Sequence, residues 1–114
     1  MSFSICGPGS APTCVVDGDT FRLNGERMRI ESIDTPEIHT NLCGGQREIG
    51  LGRKAGLRLA ELLNSGPLAV TRTGHDRYGR TLVLVRAGGR DLGEVLIGEG
   101  LARRWPDGDE FWCR

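Results

Sequence analysis

Three short segments of this sequence hold polar residues that a minimal fold would not need. They are Asp17-Gly18-Asp19-Thr20, then Arg29 leading into Asp34-Thr35-Pro36-Glu37, then Asp76-Arg77-Tyr78-Gly79-Arg80. Taken singly, each has an ordinary reading. Asp-Gly-Asp is a common solvated turn, because Asp and Gly both suit turn backbone. Asp-Thr-Pro-Glu can be a strand end followed by a proline turn, and Arg-Tyr-Gly-Arg a hairpin tip with solvated charges. Together they supply complementary parts. Asp19 and Asp34, on neighbouring strand ends, and a backbone carbonyl such as that of Thr35 make a hard oxygen site suited to Ca2+. Pro36 fixes the turn that follows, so Glu37 is held at a set distance from that site, where a carboxylate can orient or deprotonate a water. Arg29 and Arg80 each present a planar fork that matches two phosphate oxygens. Two such forks on opposite sides would neutralise the charge that builds on a pentacoordinate phosphorus. The inventory is that of phosphodiester cleavage.

The elements that must position these residues are legible in the same sequence. Strands are predicted at 14–16, 20–23 and 27–33, with turns at Asp17-Gly18 and Asn24-Gly25. Asn-Gly between two strand-like runs signals a hairpin, because both central residues of a type I′ turn need positive φ. In the third strand Met28 and Ile30 alternate with Arg27, Arg29 and Glu31, which turns Arg29 away from the core face. Leu51, Ala55, Leu59, Leu62 and Leu63 predict a helix over 46–64, ended by Gly66-Pro67. Gly50, Gly52 and Gly56 weaken its first half by about 1 kcal/mol each against Ala. Strands 68–73 and 81–86 flank the loop 74–80. A short second helix has Asp91 as N-cap, Glu94 as in a capping box, and Gly100 as its stop. The order of these elements predicts an α+β fold: a five-stranded Greek-key barrel of the OB type with two short helices. Closure would leave no free strand edge. Residues 1–13 read as an N-terminal arm, 14–102 as the barrel domain and 103–114 as an irregular tail packed on it.

Length and composition set limits. A chain of 114 residues holds one core and no second domain. Fifteen basic residues balance fifteen acidic ones, so no global positive field recruits a polyanion and a phosphate must be gripped by a few placed arginines. No apolar run of about 18 residues could span a bilayer, and the chain reads as a soluble monomer with no membrane partner. Residues 1–13 lack a basic start and an apolar stretch of signal-peptide length. As written, that places the chain in the cytoplasm; with an export segment trimmed, it would be secreted or periplasmic. Cys6, Cys14, Cys43 and Cys113 point the second way, because an even set in a short chain is a feature of oxidising compartments. Zinc explains them poorly, since no C-x-x-C pair exists and His39 and His75 stand in neither ligand spacing.

The three segments resemble the signature of the staphylococcal nuclease (thermonuclease) family. The likeness rests on Val16-Asp17-Gly18-Asp19-Thr20, on Met28-Arg29-Ile30 leading into Ile33-Asp34-Thr35-Pro36-Glu37, and on Asp76-Arg77-Tyr78-Gly79-Arg80, in order and with similar strand lengths between them. It runs on through Gly100-Leu101-Ala102 and so covers about residues 14–102. The resemblance implies a Ca2+-dependent nuclease acting on DNA or RNA and leaving 3′-phosphate ends. It implies Asp19, Asp34 and the Thr35 carbonyl as Ca2+ ligands, Glu37 as general base or water-orienting group, and Arg29 and Arg80 on the scissile phosphate. Arg77 and Tyr78 match positions that contact the nucleotide, and Asp17 matches a supporting turn position. Three features depart from the family pattern. Its C-terminal third helix has no counterpart here. Its base-packing tyrosines are replaced at best approximately by Trp105. Its lysine-rich loop is replaced by the nearly uncharged stretch 38–45, which contains Cys43.

A non-catalytic module that holds nucleic acid or protein is the competing reading. Such modules combine a basic groove with stacking aromatics, and this chain has zero net charge with only two Trp, one Tyr and three Phe. The retained catalytic set favours the enzyme. An accessory domain of another pathway is a third reading that the residues do not separate from these. For the cysteines, proximity favours a Cys6–Cys14 clip, and a tail without the third helix needs an anchor, which a Cys43–Cys113 bridge would supply.

Overall fold

The computed structural model describes residues 2–9, 11–39 and 42–113. Thr40 and Asn41, in the stretch that replaces the lysine-rich loop, lie outside the described residues. An antiparallel meander opens the fold: β1 (Cys14–Asp17), β2 (Thr20–Leu23) and β3 (Glu26–Ile30). Asn24 and Gly25 join β2 to β3 at φ 51° and 86°, the pair of positive values that a type I′ turn requires. Met28 and Ile30 are buried, and Arg29 between them stays partly exposed on the other face. The strand expected to reach Ile33 stops at Ile30. Ser32 turns to φ 70°, and the chain restarts as the two-residue β4 (Ile33–Asp34).

β5 (Leu68–His75) pairs antiparallel with β6 (Thr81–Ala87), and β6 adds parallel to β3. The resulting order is β1-β2-β3-β6-β5, with the short β7 (Arg90–Asp91) beside β6. This is the predicted α+β, OB-like strand path, with one correction: the sheet does not close into a barrel. Among the described residues β1 and β5 are the two ends of the hydrogen-bonded path. β1 is only four residues long, its register slips between Val15 and Asp17, and its outer edge is already occupied. The N-terminal arm takes that edge: Val15 N donates to the Ser4 carbonyl at 2.7 Å and Cys6 N to the Val15 carbonyl at 2.8 Å. A Cys6–Cys14 disulfide clips the arm in place. The arm thus gives β1 the edge protection that closure would have given.

α1 (Gly45–Leu63) packs on β1 and contributes Ala55, Leu59, Leu62 and Leu63 to a core shared with Phe21, Met28, Ile30, Val83 and Val85. α2 (Leu92–Gly98) starts as predicted, with Asp91 accepting from Glu94 N at 3.1 Å. The return half of the capping box is not made, because the Glu94 carboxylate pairs with Arg104 at 2.6 Å. Gly100, at φ 74°, ends α2 in a Schellman turn: Leu101 N donates to the Leu96 carbonyl and Gly100 N to that of Ile97. The tail is more regular than expected. β8 (Arg103–Arg104) pairs with β4, and a 3-10 turn over Phe111–Cys113 buries Trp112. The Cys43–Cys113 disulfide ties that turn to the start of α1 across a separation of 70 residues. Closing a loop of that size removes unfolded-chain entropy worth about 4 kcal/mol in the chain-entropy account. No helix among the described residues is long and apolar enough to cross a membrane.

Candidate functional site

The turn between β1 and β2 carries Asp17, Gly18 and Asp19. The Asp19 carboxylate is buried and accepts from Thr20 Oγ1 at 3.1 Å and from Thr35 N at 3.4 Å, with Arg29 Nη2 3.4 Å away. Asp17 supports the same turn by accepting from Asp19 N at 3.2 Å. Gly18 is demanded by close approach: a Cβ there would stand 2.9 Å from Thr35 Cβ and 2.7 Å from Ala55 Cβ. On β4, Asp34 accepts from Arg103 Nε at 3.0 Å. Arg103 is itself fixed by the Pro106 and Gly108 carbonyls at 3.2 and 2.7 Å. Asp19, Asp34 and Thr35 are therefore gathered at one end of the meander. Sequence reasoning missed Arg103, which stood in a tail with no predicted element; only the β4–β8 pairing carries it to Asp34.

Three acids at this end, Asp17, Asp34 and Glu37, are raised by burial first and by neighbouring charge second. Burial first, and then the charge of Asp19, push the Asp17 carboxyl up to about 8. Burial raises Asp34, and Asp19 adds to it, against the hydrogen bond from Arg103. Partial desolvation raises Glu37, followed by the charges of Asp19, Asp34 and Glu48, while Arg29 opposes them. Arg29 and Arg103 offset only part of this shift, and a divalent cation among these oxygens would further favour the charged carboxylates. Two carboxylates and a carbonyl are hard oxygen donors, so the residues present fit Ca2+.

The second half of the site hangs from β3 and β6. Arg29 Nη1 donates to the Ile30 and Ile33 carbonyls at 2.6 and 3.0 Å, one on each side of the Ser32 turn. The break in the third strand thus holds this guanidinium still. Arg80 is locked differently. Asp76 Oδ1 accepts from Tyr78 N at 2.9 Å and Arg80 N at 3.0 Å, and its Oδ2 from Arg80 Nε at 2.7 Å. Partial desolvation works against the Asp76 charge, yet these bonds hold its carboxyl below the ordinary range. Arg80 Nη1 reaches Thr20 Oγ1 at 3.5 Å, and the same hydroxyl donates to Asp19. Thr20 therefore joins the two halves.

Arg29, Arg77, Tyr78, Arg80 and Trp105 line one open cleft of about 540 Å3. Tyr78 and Trp105 are 58% and 53% exposed, so both rings present open surface to the cleft. The Arg77 and Arg80 guanidiniums lie 5.1 and 5.4 Å from the Tyr78 ring centre, and that of Arg103 5.1 Å from the Trp105 ring. Exposed aromatics among arginines suit bases and phosphates together. Asp17 lines a separate hollow with Ile5, Val16 and Ile38.

Glu37 leaves Pro36 with its side chain exposed and its backbone held, since Glu37 N donates to Glu48 Oε2 at 2.9 Å. The segment lies on α1 at Gly52, where a Cβ would stand 2.7 Å from the Pro36 carbonyl and 3.1 Å from that of Glu37. Gly56, a turn further along, sits under the Asp17 backbone at 3.7 Å. Two of the glycines that weaken the helix are thus the places where the site's backbone rests on it.

A family model described as staphylococcal nuclease homologue matches residues 27–110. The chain belongs to the staphylococcal nuclease homologue family. It is 36% identical over 92 residues to the succinoglycan biosynthesis protein ExoI of Rhizobium meliloti and 40% identical over 96 residues to the SPbeta prophage-derived endonuclease YokF of Bacillus subtilis. It is 35% identical over 101 residues to a micrococcal nuclease of Shigella flexneri. Each match takes in 77% of this chain but 48%, 31% and 53% of the respective relative, so the chain spans about half or less of their lengths.

Proposed function

We propose that this chain is a Ca2+-dependent nuclease that hydrolyses phosphodiester bonds in DNA or RNA. The reading is carried by one juxtaposition: carboxylates of the β1–β2 turn and β4 gathered together and joined through Thr20 to an arginine-lined aromatic cleft. Asp19, Asp34 and the Thr35 carbonyl would hold Ca2+, which when bound supplies positive charge beside a phosphate oxygen and the attacking water. Glu37, made more basic by partial desolvation and then by its acidic neighbours, takes the proton of that water. Arg29 and Arg80 donate to the non-bridging oxygens as negative charge grows on phosphorus, and the 5′-oxygen departs with the bonding electron pair and takes up a proton from water, leaving a 3′-phosphate. Arg77 and Tyr78 contact the nucleotide, Trp105 offers a second stacking face, and Asp17 holds the metal-binding turn.

Metal choice tests the assignment. Turnover of single-stranded DNA should be clearly faster with Ca2+ than with Mg2+. Ca2+ accepts an irregular, water-completed shell, whereas Mg2+ demands a tight octahedron near about 2.0–2.1 Å. Asp19→Ala should lose activity that partly returns as Ca2+ is raised. Equal rates with both ions in the unsubstituted protein would sink the assignment.

Stability reports the same site without catalysis. A carboxyl raised by folding keeps its proton longer in the native state, so stability falls as pH rises between the unfolded and folded pKa values. For Asp17 that window runs from 3.8 to about 8, and Asp34 and Glu37 shift in the same direction. The carboxyls held low, among them Glu26 at about 2, titrate below most of it. In EGTA the protein should therefore melt lower at about pH 8 than at about pH 5, and Ca2+ should narrow the gap by favouring the charged carboxylates. A gap indifferent to Ca2+ would count against a metal among these acids.

The helix glycines give a paired comparison. Gly50 is exposed with nothing near its would-be Cβ, so Gly50→Ala should stabilise by about 0.5–1 kcal/mol and leave turnover unchanged. Gly52→Ala gains the same helix propensity but drives into the Pro36 carbonyl and Ile38, and should cost about 10–100-fold in turnover through a shifted Glu37. Thermal unfolding and kcat for both variants decide this. Equal behaviour of the two would show that Gly52 is not a seat for the loop.

A further inference from the structure

The proposed mechanism makes no use of Glu48, the most deeply buried carboxylate among the described residues, at 1% exposure against 8% for Asp19. It stands on the first turn of α1, whose N-cap, Gly44, has no side chain to offer. Its two oxygens divide between the two ends of a loop. Oε2 accepts from Glu37 N at 2.9 Å, while Oε1 accepts from Cys43 N at 2.8 Å and Gly44 N at 2.9 Å. Burial works against its charge, but these backbone donors win and hold the carboxyl below its ordinary range.

The geometry around that neck leaves little slack. A Cβ on Gly44 would collide with the Trp112 carbonyl, so the tail presses on the loop at the point where Glu48 grips it. The Cys43–Cys113 disulfide fixes the adjoining residue to the same tail. On the other side, Gly52 lets Pro36 and Glu37 lie directly on the helix. A rigid helix thus reaches through one carboxylate to the backbone amide of Glu37.

We propose that Glu48 is a positioning residue for Glu37: it anchors the amide of the proposed base to α1 and ties it to the backbone of Cys43 and Gly44. The proposal rests on the reading of Glu37 given above. A carboxylate is suited to the task because it has acceptors on both edges and no donor, so it can serve both ends of the loop at once. Glu48→Gln keeps the shape but must turn an NH2 toward one of them. The two amides at Cys43 and Gly44 outbid the single one at Glu37, so the Glu37 end is the one that should be released.

A double-mutant cycle on the full, disulfide-bonded chain tests this. Single-stranded oligonucleotide is cleaved in Ca2+ by the unsubstituted protein, Glu48→Gln, Glu37→Gln and the pair. Glu48→Gln should lower kcat by about 10–100-fold with KM little changed, the cost of a base about 1 Å out of place. In the Glu37→Gln background the same substitution should change kcat by less than about 3-fold, because the group it positions is already gone. An equal loss in both backgrounds, or full activity in folded Glu48→Gln, would overturn the proposal.

Amide hydrogen exchange keeps this separate from the reading of the site. In the unsubstituted protein the amides of Glu37, Cys43 and Gly44 should be protected. In Glu48→Gln that of Glu37 should exchange at least about 10-fold faster while those of β2 and β3 keep their rates. If Glu37→Gln retains activity while the exchange result holds, the assignment of the base fails and the anchor stands. Should Glu48→Gln not fold, Glu48→Asp, which keeps the charge but shortens the reach, takes its place in the cycle. Unprotected amides at these three positions in the unsubstituted protein would overturn the proposal without any variant.

Discussion

Glu37→Gln should lower the turnover of single-stranded DNA by about 10²–10⁴ while leaving substrate binding little changed. The size follows from what the substitution removes. Gln keeps the volume and an acceptor oxygen, so it can still hold a water, but it cannot take the proton that hydroxide formation releases. Binding should survive because the groups that would grip the phosphate and base, Arg29, Arg80, Tyr78 and Trp105, belong to a different wall of the site. The fold should survive as well, because the Glu37 side chain is exposed and the backbone bond to Glu48 needs only the amide. Melting temperature should even rise slightly in EGTA, since the substitution removes one charge from a crowd of acids. Kinetics at saturating substrate, beside thermal unfolding of the same preparation, would check all three statements. Turnover within a few-fold of the unsubstituted protein would remove Glu37 from the mechanism.

Arg29→Lys and Arg80→Lys should each cost about 10²–10³ in turnover, the scale of losing one preorganised donor from a developing anion. Lysine keeps the charge and loses the fork. The two should nevertheless differ in stability. Arg29 Nη1 ties together the Ile30 and Ile33 carbonyls across the Ser32 turn, so its loss leaves partly buried acceptors unmet and should destabilise by about 1–3 kcal/mol. Arg80 is bonded to Asp76 within its own hairpin loop, where the Asp76 carboxylate keeps its backbone donors. Denaturant midpoints should therefore separate the pair while kcat falls for both. If both lysine variants cut at the ordinary rate, neither arginine faces the scissile phosphate.

Much of this site is legible in the sequence, for reasons that can be named. Asn24-Gly25 dictates a hairpin through its backbone, and that hairpin sets Thr20 opposite Arg29 and so brings Asp19 to the arginine. Asp91 and Gly100 mark the limits of α2 by capping chemistry that works locally. The misses are non-local. Nothing in the propensity of Ser32 announces a positive φ, so the strand break that pins Arg29 stays hidden. The open sheet depends on an arm whose Pro and Gly content reads as loop, although its residues 4–6 supply the missing edge partner. Gly52 reads as a helix weakness because the segment that needs the space is 14 to 16 positions earlier in the chain. Glu48 carried a signal that could have been used: it precedes Gly52, Ala55 and Leu59 by four, seven and eleven positions, the spacing of the buried face. A carboxylate on that face must have partners, and the nearest backbone donors are those of the loop after Glu37.

In the proposed function this chain cuts nucleic acid using its own carboxylates and arginines with Ca2+. The most direct measurement is incubation of denatured DNA with the purified, oxidised protein in CaCl2 and in EGTA, beside Glu37→Gln prepared in parallel, read on a denaturing gel. The expected result is fragmentation by the unsubstituted protein in CaCl2, none in EGTA, and little or none by Glu37→Gln in either. Intact DNA in every lane, or equal cutting in EGTA and by Glu37→Gln, would contradict the account; with retained DNA binding, the first of these outcomes would make the chain a nucleic-acid-binding module.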